Sequence, residues 1–367
     1  MLKRKTPDLF ILVITLVLMT FGVIMVTSAS APRALALTNG QDPFYFGKRQ
    51  LIYGVFGIVL LMMTINFDYH RFRSMTGLFL ILAPIFLVLV LIFGEEINGA
   101  RRWINLGLFN FQPSEFAKLT LVFVLAHYLT EIGPEIKSFL IGIAVPLFFT
   151  AVISGLIMLE PDLGTTIVVF SIFLVMLFTA GARLTHLSLI GFLSLGAGII
   201  LILKEPYRLR RLITFLDPMR DPKGDGWQIM QSLIAVGSGG FFGLGLGRSR
   251  QKYFYLPEAH TDYIYAVLGE ELGLIGALLI LLAFFLLAWR GYKIAMSVDD
   301  PYGSMLAIGI TSWLVIQAMI NIGVVTSTLP ATGITLPLLS AGGSSLWTTL
   351  VSIGILMNIS REAKDSY

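Results

Sequence analysis

The chain has no cysteine in 367 residues, which removes disulfides, thiolate nucleophiles and iron–sulfur ligation at the outset. It is also short of charge. Asp, Glu, Lys and Arg make up 13% of it, about half of the roughly 25% usual in soluble proteins. A water-soluble domain with so few charges could not cover its surface. The four histidines, His70, His127, His186 and His260, are scattered and make no metal site. No HExxH, Walker A or GxSxG motif is present, and no GxGxxG stands between a strand and a helix. These absences exclude a secreted enzyme, a nucleic-acid-binding domain, a disordered chain, a nucleotide-driven pump and a metalloprotease. What the chain does have is 56% hydrophobic residues, for which a bilayer is the fitting solvent.

Gaps between charged residues mark the membrane spans. No Asp, Glu, Lys or Arg occurs in 9–32, 50–67, 74–94, 138–159, 163–182 or 184–203, and each gap is long enough to cross the hydrocarbon core. Residues 263–289 are apolar apart from Glu270 and Glu271, and 301–360 form a charge-free run of 60 residues. The middle of that run, 326–345, is rich in Gly, Pro, Ser and Thr, so two spans around a loop are expected there. Residues 116–129 are a weaker tenth span because they are short and carry Lys118. The first apolar stretch shows no convincing cleavage site and reads as a retained span.

Counting Lys and Arg supports the weak span. With ten spans and a cytoplasmic N-terminus, cytoplasmic segments hold 11 (Lys3, Arg4, Lys5, Arg71, Arg73, Lys137, Arg183, Arg290, Lys293, Arg361 and Lys364) and short outer loops hold 5. Without that span, the short segments score 5 inside against 12 outside. The positive-inside rule therefore favours an all-α polytopic membrane protein with ten transmembrane helices and both termini cytoplasmic. Residues 1–367 form one membrane domain, and a long extracytoplasmic loop, 204–262, joins helices 7 and 8.

Polar residues gather in four outer segments, 95–115, 160–162, 204–262 and 326–345, so an active site is expected on the outer face. The first half of the long loop alternates Arg208, Arg210, Arg211, Arg220 and Lys223 with Asp217, Asp221 and Asp225. The second half, 227–247, is apolar and Gly-rich and reads as an amphipathic or re-entrant segment. Basic Arg248, Arg250 and Lys252 follow, then Thr261 and Asp262 at the start of a helix. Asp262 suits a general base held at the membrane face, with an N-cap as the plainer role. Asp162 has the same plain alternative. Glu270 and Glu271 face either a cavity or buried hydrogen-bond partners, and Lys118 is three residues from Glu115, close enough to pair with it. Arg102, beside Trp103, is either an interfacial anchor or a phosphate ligand.

These motifs together resemble the SEDS family (shape, elongation, division and sporulation), in its FtsW/SpoVE branch. The resemblance runs through NGARRWINLG (98–107), FQPSEFAKL (111–119), EPDLGT (160–165), PYRLRRLITFLDP (206–218), GWQIMQSLIAVGSGG (226–240), GLGLGRSRQKYFYLPEAHTDYIYAVLGEELG (243–273), NIGVVTSTLPATGITLPLLSAGGSS (321–345) and MNISR (357–361). Ala341 departs from the pattern, where an aromatic residue is usual. The resemblance implies a peptidoglycan glycosyltransferase of the bacterial cytoplasmic membrane. Such an enzyme polymerises lipid II on the outer face, at the septum, beside a class B penicillin-binding protein and other divisome membrane proteins, with no nucleic acid involved. It places the family's essential aspartate on Asp262, its outer-loop arginine on Arg102 and its Q-P-S-E-x-x-K motif on Gln112–Lys118.

Lipid II has an apolar tail, a pyrophosphate and a reacting sugar hydroxyl, and so calls for an apolar groove, cations and a base. Asp262 is the expected catalytic base. Arg102, Arg208, Arg211 and Lys252 are the expected pyrophosphate ligands, and Lys118, Ser238, His260 and Thr261 complete the candidate substrate contacts. A divalent cation, Mg or Mn, could share the leaving-group charge, although the sequence shows no dedicated cage for it. The rival functions are a lipid II flippase, which would need access from both faces, a scaffold for the transpeptidase, and a related lipid-linked glycan polymerase. The motifs leave vegetative division and sporulation equally open.

Overall fold

The structure is a computed structural model that describes residues 6–97, 99–107, 109–224 and 226–364. Lys3, Arg4 and Lys5 of the charge count, and Asn98 and Asp225 of the outer loops, lie outside the described residues. Twelve α-helices run in the order α1 (Leu9–Leu37), α2 (Tyr45–Asn66), α3 (His70–Phe93), α4 (Pro113–Ile132), α5 (Val145–Leu159), α6 (Leu163–Thr179), α7 (Leu184–Lys204), α8 (Pro206–Leu216), α9 (Trp227–Ser238), α10 (Ile264–Ser297), α11 (Pro301–Val325) and α12 (Gly343–Ser360). By length and composition, eight helical segments among the described residues can cross a membrane.

The helices end where the sequence punctuates them. Asp8 caps α1 by accepting from Phe10 N and Ile11 N. Asp300 caps α11 ahead of Pro301, accepting from Tyr302 N and Gly303 N. Pro113 opens α4 at a position where its missing N–H costs nothing. Between α3 and α4 the structure adds to the all-α expectation. Residues 95–111 form a small antiparallel meander, β1 (Glu95–Ile97), β2 (Ala100–Asn105) and β3 (Asn110–Phe111), in that order. Gly99 and Gly107 take φ of +75° and +81° at its two turns, the left-handed region that glycine enters without penalty.

The weak fourth span proves to be a full helix that runs from one end of the bundle to the other. Just ahead of α4, Gln112 N donates to Ser344 Oγ at 3.1 Å, beside the start of α12. At the other end of α4, Glu131 pairs with Arg73 of α3. That second end also gathers both ends of the described chain. Asp8 N donates to Ser360 Oγ and Asp8 pairs with Arg290, while Tyr69 OH donates to Glu362 Oε2 at 2.7 Å and lies 2.9 Å from Asp300 Oδ2. α4, α11 and α12 occupy the interior, whereas α7 is peripheral and buries only Ile190.

α10 is not one continuous helix. Gly273 breaks it with φ +69°, and the turn after α9 supplies the missing hydrogen bonds. Leu274 N and Ile275 N donate to Gly240 O and Phe241 O, and Leu244 N and Gly245 N donate to Glu270 O and Glu271 O. A Cβ on Gly273 would lie 2.4 Å from Gly243 N, so only glycine permits this approach. The Gly-rich stretch 227–247 thus divides into a short helix, α9, and a turn that completes the break in α10.

Candidate functional site

Asp262 ends a run of turns that leads into α10, and its backbone is fixed from two sides. Asn321 of α11 donates from Nδ2 to Asp262 O at 2.8 Å and to Ile334 O at 2.7 Å. Ser340 Oγ donates to Thr261 O at 2.6 Å, and Ala341 N donates to His260 O at 3.0 Å. The residue preceding α10 is Tyr263, so Asp262 is not its N-cap. Among the described residues no donor reaches the Asp262 carboxylate, which leaves it open to an incoming hydroxyl. Gly333, at φ +75°, passes close by, and a Cβ there would sit 3.5 Å from Asp262 Oδ2.

The electrostatics of Asp262 suit a base. Its carboxyl is pushed up to about 7, first by burial and then by Glu258 and Asp162, while Arg102 and Arg211 pull it down. A base is most effective with a pKa near the working pH. Arg102 reaches in from β2 and donates from Nε to Glu160 O at 3.0 Å and from Nη2 to Pro161 O. Arg211 of α8 donates from Nη1 to Ala331 O at 3.1 Å and lies over the Tyr207 ring at 4.5 Å. A cleft of about 270 Å³ opens beside Arg211, lined by Tyr207, Arg210, Trp227, Pro257 and Ala331 among others. Arg208 is also on α8, where Nη1 donates to Leu201 O at 3.3 Å.

Asp162 takes its plainer role and caps α6 by accepting from Thr165 N and Oγ1 at 2.9 and 2.8 Å. His260 is buried, its ring lies tilted against Phe46 at 5.0 Å, and it is pushed down to about 4, chiefly by burial and then by Arg33, so it is neutral at pH 7. Thr261 Oγ1 donates to Glu258 Oε2, and Glu258 also pairs with Arg33 at 3.6 Å. Ser238 ends α9 and bonds within its own helix, to Ala235 O.

Two expected substrate cations prove to be internal. Lys252 Nζ directs its three donors to Glu271 Oε1 at 2.9 Å, Gly247 O at 2.6 Å and Ser28 Oγ at 3.1 Å. Lys118 is fully buried and donates to Glu115 Oε1 at 2.9 Å and Gln317 Oε1 at 2.6 Å, with the Trp313 ring 5.1 Å away. Lys252 thus directs all three of its ammonium donors inside the protein, and Lys118 two of its three. Glu270 and Glu271 are likewise structural. Glu270 accepts from Ser249 Oγ, Arg250 N and Gln251 N, and Glu271 accepts from Ser28 Oγ and Ser249 N as well as from Lys252.

Sequence reasoning passed over Gln317 and Asn321. They are four residues apart on one face of α11, and together they carry the 334–335 backbone that borders Asp262. Two amides at helical spacing inside a charge-free run were the available signal, because polar side chains within a span point to a partner.

The family model described as cell cycle protein, for FtsW, RodA and SpoVE, matches residues 8–365. Stage V sporulation protein E of Bacillus subtilis (strain 168) is 48% identical over 366 residues, covering 99% of each chain. A probable peptidoglycan glycosyltransferase FtsW of Trichlorobacter lovleyi is 43% identical over 359 residues, covering 97% of this chain and 94% of the relative. Among solved structures, a chain from a peptidoglycan synthase complex that coordinates polymerization and crosslinking superposes with a TM-score of 0.80 at 30% identity, covering 98% of this chain and 99% of that one. The rod shape determining protein RodA of Thermus thermophilus gives 0.72 at 27% identity, covering 98% of both.

Proposed function

The chain belongs to the cell cycle protein family of FtsW, RodA and SpoVE, and from that membership we infer that it is a peptidoglycan glycosyltransferase serving cell division or sporulation. Its substrate is lipid II. Asp262 accepts the proton of the acceptor's 4-hydroxyl as that oxygen bonds to the anomeric carbon of the donor sugar. The bond from that carbon to the pyrophosphate breaks, and polyprenyl pyrophosphate leaves with inversion. Arg102 and Arg211 flank the base, and with Arg208 they stabilise the charge on the departing pyrophosphate, an electrostatic contribution of several kcal/mol in comparable sites. The described residues gather no group of three His, Asp or Glu side chains able to hold a divalent cation.

Ten helices cross the membrane in this proposal. α6 and α12 join the eight long apolar segments because they run between the same two ends of the bundle, and the Lys and Arg count puts the Asp262 end outside. The class B penicillin-binding protein partner is suggested by the related synthase complex. Divisome partners and a septal location follow from the FtsW and SpoVE resemblance.

The observation that carries the mechanism is a carboxylate with no donor of its own, held by its backbone within the field of two arginines. The test is polymerisation of labelled lipid II by the purified chain, with and without its transpeptidase. Asp262→Asn and Asp262→Ala are expected to lose about 10²-fold or more, the usual contribution of a general base. In the parent, activity should rise with pH through about 7, because the carboxyl must first lose its proton. A folded Asp262→Ala chain that still polymerises would remove the base. A flippase would instead move lipid II across proteoliposomes without forming polymer. The intramembrane carboxylates that would suit a transporter, Glu270 and Glu271, are both engaged in internal bonds.

A further inference from the structure

Glu160 follows α5 directly and is fully buried, yet among the described residues neither of its carboxyl oxygens meets a donor. A cation is close by. Arg102 turns its Nε and Nη2 to the main-chain oxygens of Glu160 and Pro161, not to the Glu160 carboxyl. The acid close at hand, Asp162, is committed to capping α6. The other helices packed along α5 bring little further charge. α6 has no charged residue, α3 carries Arg71 and Arg73 only at its far end, and Glu115 and Lys118 of α4 are paired with each other.

A buried carboxylate with no donor is far more costly than the neutral acid in the same place. Had Glu160 been ionised, the nearby guanidinium would be its obvious partner, and a bidentate pair would result. The structure instead shows Arg102 held by neutral carbonyls. We propose that the Glu160 side chain acts as a buried, uncharged carboxylic acid. By staying neutral it leaves the Arg102 charge unopposed for Asp262 and for the departing pyrophosphate, while the main chain of the 160–161 turn fixes the guanidinium in place. The proposal rests on Asp262 being the base. The local electrostatics agree with it: the Glu160 carboxyl is pushed up to about 9, by burial first and by Asp162 second, with Arg102 opposing.

The test compares Glu160→Gln with the parent in the full-length chain with its transpeptidase, using labelled lipid II over a range of pH. Glutamine keeps the shape and removes the option of ionising. At pH 7 the variant is expected to polymerise within about twofold of the parent rate. Above about pH 9 the parent should lose activity as Glu160 ionises and neutralises Arg102, and the variant should not. Stability gives a readout independent of activity. The folded chain holds a proton on Glu160 that the unfolded chain releases above 4.5, so this group's contribution is full below 4.5 and is lost as pH rises towards about 9. The thermal midpoint of Glu160→Gln should lack that decline. A folded Glu160→Gln chain that loses more than about tenfold at pH 7, or one that keeps the parent's alkaline loss and midpoint decline, overturns the proposal. Asp262→Ala run alongside keeps the two failures apart. If Asp262→Ala is active, the base assignment falls. If it is inactive and Glu160→Gln is inactive too, only the role of Glu160 falls.

Discussion

Arg102 makes no ion pair among the described residues, although Asp262 and Glu160 both lie within reach of its field. Its influence on Asp262 is therefore measurable. Because Arg102 pulls the Asp262 carboxyl down, Arg102→Ala should move the acid limb of the pH–rate profile to higher pH, so that the loss is larger at pH 7 than at pH 8.5. Arg102→Lys should restore part of the shift but not the two carbonyl bonds, since a lysine cannot span both oxygens in one plane. A profile unchanged in shape would show that Arg102 acts only on the leaving group. At this scale the sequence singled out the candidate base and said less of its surroundings. Asp262 stands out as a carboxylate in a basic, aromatic loop. Lys252 looked like part of the same cationic cluster because its partner, Glu271, is 19 residues away and only the fold brings the two together. Lys118 and Glu115, three residues apart on one helix, could be paired from spacing alone.

The loop 249–262 behaves as an element fixed at both ends. Glu270 and Glu271 hold its start, and α11 with the 334–341 segment holds its finish. The Lys252–Glu271 pair at its start is almost wholly buried, with side-chain exposures of 3% and 0%. Removing one partner leaves an uncompensated buried charge. Lys252→Ala or Glu271→Ala should each cost about 3–5 kcal/mol, while Lys252→Met with Glu271→Leu should recover much of that loss. Unfolding of the purified variants in a detergent titration measures both effects. If the double variant is no better than the single ones, the pair contributes through its hydrogen bonds to Ser28 and Gly247, not through charge balance. The sequence indicated two carboxylates two turns into a span and left cavity and partner equally open. The choice depended on a break at Gly273 and on a loop returning from α9, and neither has a local signature beyond glycine content.

At the scale of the whole molecule, charge is so scarce that its gaps in the sequence mark nearly all the long apolar helices of the fold. The weak one, α4, was uncertain for a physical reason. It lies at the centre of the bundle, so it can carry Glu115 and Lys118 as an internal pair, and its hydropathy is diluted. The β1–β3 meander went unseen because its strands are only two to six residues long. The absence of cysteine makes topology directly testable. Single cysteines at Lys223 and Lys137 provide one reporter on each side. An impermeant maleimide should label the first in intact cells and the second only after permeabilisation. Labelling of residue 137 from outside would remove the fourth crossing and place Asp262 in the cytoplasm.

The shared hydrogen bonds at Gly273 also bear on the order of biogenesis. The turn at 240–245 is synthesised before the segment 270–275 that it completes, so its amides and carbonyls wait for their partners until α10 arrives. Completion of that helix and closure of the 249–262 loop are then a single event. A chain stalled between the two would have neither an intact α10 nor a placed Asp262, and quality-control proteases would meet it as one unfinished unit.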